Sequence, residues 1–158
     1  MWFLKLILII TLLVVLYQDC KDRLVYWFLY PIIGVLVFSI QSYYLPFELA
    51  FFNSGLNLLF VAILLGVSFM YIKFRKLSFQ NAIGLGDVLF FIFLSFGFAT
   101  ISFIVLFVFS LIFSLLLHFI FQNKNQLKTV PLAGYMSLFF GVVYTVTFWS
   151  HSTILYAY

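Results

Sequence analysis

Charge is what this 158-residue chain has least of. It carries eight Lys or Arg and four acids, Asp19, Asp22, Glu48 and Asp87, so that 8% of its residues are charged against 66% hydrophobic. Soluble domains carry about 25% charged residues. With a mean hydropathy of +1.25, a water-soluble domain is excluded. The expected fold is an all-α integral membrane protein, one membrane-embedded domain over residues 1–158, because no Pro/Gly/Ser-rich linker divides it. A single cysteine, Cys20, excludes an internal disulfide and a multi-cysteine zinc site. The two histidines, His118 and His151, stand far apart on apolar segments, so no metal or cofactor is expected. The net charge of +4 is no nucleic-acid signature, since the bases fall in short clusters between apolar runs. Lipid is the expected surrounding, and the 24 phenylalanines suit helix faces that meet it.

Apolar runs cover residues 2–17, 27–44, 49–72, 81–121 and 131–149. The first lacks a small-x-small cleavage pattern. Tyr17-Gln18-Asp19 before Cys20 is too bulky and polar for a lipoprotein cleavage box, so a retained helix is expected. The run over 81–121 as one straight helix would be about 60 Å long, twice a bilayer core. Two helices of about 20 residues, turning near residues 97–102, fit instead. Six spans result. Lys21 and Arg23, then Lys73, Arg75 and Lys76, then Lys124 and Lys128 all fall on one side, leaving only Lys5 on the other. The positive-inside bias therefore predicts about six transmembrane helices with both termini non-cytoplasmic. Pro131 is expected in the first turn of the last helix.

On this topology Asp19, at the end of helix 1, and Asp87, opening helix 4, reach the cytoplasmic side together. Glu48 falls on the opposite side, and Asp22 reads as a surface charge. An acid at bilayer depth costs about 2.5–3.5 kcal/mol on insertion scales, so such residues point to function. Two carboxylates that share one proton suit aspartyl hydrolysis. The ionised one takes a proton from water, and the protonated one donates to the developing oxyanion. Gly84 and Gly86, in Gly84-Leu85-Gly86-Asp87, bare the backbone beside the acid. They permit positive φ and the close approach of a substrate backbone or a neighbouring helix.

These residues resemble the type IV prepilin peptidase family, the leader peptidases of prepilins and preflagellins. Asp19-Cys20-Lys21-Asp22-Arg23-Leu24-Val25 looks like that family's first aspartate element, and Gly84-Leu85-Gly86-Asp87-Val88 like its Gly-x-Gly-Asp element. More weakly, Val130-Pro131-Leu132-Ala133-Gly134-Tyr135 resembles a proline-containing stretch opening the last helix. Tyr26-Trp27 replace a Pro-Asn-like pair, and Leu89 stands where many members carry lysine. The resemblance implies Asp19 and Asp87 as catalytic residues, with Gly84, Gly86 and Pro131 as motif positions. It also implies a multi-pass peptidase of the inner (cytoplasmic) membrane, without the paired Cys-x-x-Cys segment of the methylating members. The partner would be a prepilin-like protein with a short basic leader and an apolar helix. The alternative readings are a small membrane transporter and a non-catalytic subunit of a pilus or secretion assembly.

Overall fold

Residues 1–75, 84–121, 130–148 and 155–156 are described by the computed structural model. They form six helices and no strand: α1 (Trp2–Asp22), α2 (Leu29–Tyr44), α3 (Phe47–Phe74), α4 (Leu85–Leu94), α5 (Thr100–Phe121) and α6 (Leu132–Val146). The expectations for Lys76, for residues 81–83 and 122–128, and for His151 and Trp149 lie outside the described residues.

Three helices, α1, α3 and α5, are long and apolar enough to cross a membrane. At 1.5 Å per residue they measure about 30–40 Å. Their outward faces confirm what composition implied. On α5 only Phe103, Phe107, Ser110 and Ser114 are buried, a stripe at helical spacing. The exposed remainder is as apolar as the stripe, for example Ile101, Val108, Ile112 and Phe119. A helix hydrophobic all round seeks hydrocarbon.

The chain does turn within the 81–121 run, over Ser95–Ala99, which overlaps the expected place and begins two residues before it; the second helix has the expected length at 22 residues, and the first is shorter than expected at 10. No proline or charge is present there. The turn is held from outside. The Asn57 side-chain amide on α3 donates to the carbonyls of Ser95 (3.1 Å) and Phe98 (3.0 Å). That of Gln41 on α2 donates to Phe98 (3.2 Å), and the Thr100 hydroxyl donates to Asn53 (3.1 Å). Backbone carbonyls released by a helix end in a bundle must be satisfied by the protein, and these side chains do so.

α6 packs most extensively on α1, and also on α5 and α4; α2 packs on α1, α4 and α3. α4 runs beside α2. Gly86 lies against Tyr30, and the Phe98 carbonyl against Gln41. The short helix and its turn thus carry the chain along α2 for about 17 Å. At that far end Phe98 stacks among Phe140, Tyr144 and Tyr156. There too, Lys5 donates to the Thr147 carbonyl at 3.2 Å, and Glu48 opens α3. The other end gathers the close of α1 and the starts of α2, α4 and α6. Asp19 and Asp87 are both there.

Candidate active site

The start of α6 governs this end of the bundle. A helix leaves its first amides without intrahelical acceptors. Pro131, which occupies the N-cap ahead of the first turn where it was expected, offers no side-chain cap and has no N–H. The Leu132 N–H is bonded to Val130 and that of Tyr135 to Pro131. The two amides between them are met by acids from elsewhere in the sequence. Ala133 donates to Asp87 Oδ1 at 2.9 Å, and Gly134 to Asp19 Oδ2 at 2.6 Å. Both carboxyl groups thus sit at the positive end of the α6 dipole.

Consecutive amides bring the two acids together. The two hydrogen-bond lengths, and the three covalent bonds joining successive backbone nitrogens, bound the separation of the accepting oxygens at about 10 Å. Asp19 is 8% exposed, in the last turn of α1, and is not a solvated partner of Lys21, whose Nζ is instead 3.2 Å from the Tyr17 hydroxyl. Asp87 lies in the first turn of α4, where Gly84 and not Asp87 holds the N-cap. Asp22 is exposed, as expected, and so is Cys20. Among the described residues no group of three or more His, Cys, Asp or Glu gathers that would hold a metal.

Both acids line one cavity of about 640 Å³, with Arg23, Tyr30, Gly84, Gly86 and Ala133 in its wall and Leu24, Val25, Trp27, Leu85 and Leu89 adding apolar surface. Leu24, Trp27 and Leu85 are more than 70% exposed. Arg23 reaches the cavity because it ends α1 in the left-handed region, φ 57°. It is the only non-glycine residue described there with positive φ.

The glycines act differently from the expectation. Neither Gly84 nor Gly86 has positive φ. Each leaves room for a neighbour's polar atom. A Cβ on Gly84 would come to 3.1 Å of Asp87 Oδ2, and one on Gly86 to 2.6 Å of the Tyr30 hydroxyl oxygen. The close approach of a neighbouring helix is therefore the operative reason at Gly86. Gly134 follows the same rule, since its Cβ would meet Asp19 Oδ2 at 3.0 Å and Asp19 Cβ at 3.1 Å.

Sequence reasoning missed three participants. Gly134 and Ala133 lie in the stretch that suggested Pro131, yet they and not the proline touch the acids. Pro131 starts the helix and does not line the cavity. Tyr30 left no sequence signal beyond being a tyrosine near the start of an apolar run. No family model matches this chain, and neither any curated protein nor any solved structure shows significant similarity to it.

Proposed function

We propose that the protein is an aspartyl leader peptidase of the prepilin-peptidase type. It would be embedded in the cytoplasmic membrane with six spans and both termini outside the cytoplasm, and would cut a short basic leader from a membrane-inserted substrate. The observation that carries this reading is the pair of bonds from Ala133 and Gly134, which hold Asp87 and Asp19 side by side at one wall of one cavity. In a chain with four acids, two of them 68 positions apart in sequence meet at one helix start.

In this reading one carboxyl is ionised and its partner protonated. The ionised group takes a proton from a water molecule as the water oxygen attacks the scissile carbonyl carbon. The protonated group donates to the carbonyl oxygen, giving a tetrahedral gem-diol. Collapse of that intermediate breaks the C–N bond, returns a proton to the leaving amine, and restores the pair. No covalent acyl-enzyme forms. The α6 amides keep both carboxyl groups aimed while their shared proton moves. The exposed apolar rim at Leu24, Trp27 and Leu85 suits a substrate whose own helix lies in the membrane.

A transporter would need polar groups free along a path. The buried amide nitrogens of Gln41 and Asn57 are instead committed to the backbone of the Ser95–Ala99 turn. The test is processing of a co-expressed type IV prepilin, read by gel shift and N-terminal sequencing. Wild type should release the leader, and Asp19→Asn and Asp87→Asn should leave it attached while still inserting. Normal cleavage by Asp87→Asn would refute the mechanism.

A further inference from the structure

Tyr30 is the second residue of α2, and its side chain is 1% exposed. Its ring packs edge-on against Phe90, with centroids 6.5 Å apart. The hydroxyl is buried and has no hydrogen-bond partner among the described residues. Tyr30 nevertheless lines the cavity that Asp19 and Asp87 share. A buried hydroxyl without a partner is destabilising, and phenylalanine would fill the same volume without that penalty. The fold also keeps residue 86 free of a side chain at the place where this oxygen sits, since any Cβ there would approach it to 2.6 Å. The hydroxyl is accommodated at a cost in stability and bonds to nothing among the described residues.

We propose that Tyr30 is a third catalytic residue, its hydroxyl donating a hydrogen bond to the carbonyl oxygen of the scissile peptide. A phenol is a neutral donor near pH 7. It complements a pair of acids that must between them hold one proton and one negative charge. In the gem-diol step the protonated aspartate supplies the proton, and Tyr30 stabilises the same oxygen as negative charge develops on it. The hydroxyl makes no bond to either aspartate, which leaves its hydrogen for a substrate carbonyl that enters the shared cavity. This assignment rests on the aspartyl-peptidase reading above.

The test uses the full-length protein in lipid vesicles with a purified type IV prepilin as substrate. Tyr30→Phe should lower kcat by about 100-fold, the cost of removing one oxyanion donor, with KM within about twofold of wild type. Its thermal unfolding midpoint should not fall. Gly86→Ala, which pushes the hydroxyl aside, should also lower kcat. In the Tyr30→Phe background Gly86→Ala should add little further loss, because the oxygen it collides with is gone. Cleavage by Tyr30→Phe at the wild-type rate, a change confined to KM, or fully additive losses would each overturn the assignment while leaving the aspartate reading intact. A wild-type protein that fails to cleave, indistinguishable from Asp87→Asn, would remove both.

Discussion

Replacing Gly134 with alanine separates the site's geometry from the stability of the helix that carries it. The added Cβ would stand 3.0 Å from Asp19 Oδ2, 3.1 Å from Asp19 Cβ and 3.4 Å from its Cγ. Such contacts are tight enough to force a displacement of a few tenths of an ångström. Because Asp19 Cβ is itself among the crowded atoms, rotating the carboxyl alone does not relieve the clash. The helix α1 or the start of α6 must move, and the 2.6 Å bond from the Gly134 amide lengthens. Misplacing a reacting group by about 1 Å costs about 100-fold. A smaller shift at one member of the pair should lower kcat about 10- to 100-fold. Stability responds differently. Alanine gains about 0.5–1 kcal/mol over glycine in a helix, against about 1–3 kcal/mol for overpacking. The net change should be a loss of no more than about 2.5 kcal/mol. Prepilin cleavage in vesicles and thermal unfolding of the same preparation read the two effects. Wild-type cleavage by Gly134→Ala would refute the claim that the α6 start positions Asp19.

Other consequences follow from the same contacts. Asn57→Leu strips two hydrogen bonds from the Ser95–Ala99 turn and should destabilise the protein by about 1–3 kcal/mol, read as a lowered unfolding midpoint in detergent; an unchanged midpoint would mean the turn does not depend on α3. Cys20 is the only cysteine and is exposed beside Asp19. A membrane-impermeant maleimide should label it in inverted membrane vesicles and not in intact spheroplasts. Labelling only from outside would reverse the proposed orientation.

Much of the architecture was legible because one solvent decides it. Helix-length apolar runs, and the basic clusters between them, located α1, α2, α3, α5 and α6 to within a few residues, apart from a longer close to α1. The turn after α4 was expected from length alone and lies within a few residues of the expected place, but the groups that fix it belong to other helices and gave no signal. Gln41, Asn53 and Asn57 look like scattered polar residues until the fold sets them against the carbonyls of Ser95 and Phe98 and the hydroxyl of Thr100. At the site, scarcity made Asp19 and Asp87 conspicuous, since a chain this apolar keeps few acids. Gly84 and Gly86 were found for a partly mistaken reason: their backbones are ordinary, and what matters is the space left for Asp87 and Tyr30. Ala133 and Gly134 act through backbone amides, which every residue has. No pattern of side chains announces them, although the proline two residues before Ala133 marks the helix start that makes those amides available.

The claim that Asp19 and Asp87 work as one unit is tested most directly by a double-mutant cycle. Cleavage rates of a purified prepilin would be compared for wild type, Asp19→Asn, Asp87→Asn and the doubly substituted protein. If both acids serve a single proton and a single water, each substitution alone lowers kcat by about 10²–10⁴-fold, and the double substitution loses little more than either. Losses that multiply, or a single variant that retains the full rate, would show that the two carboxyl groups do not share one chemical step.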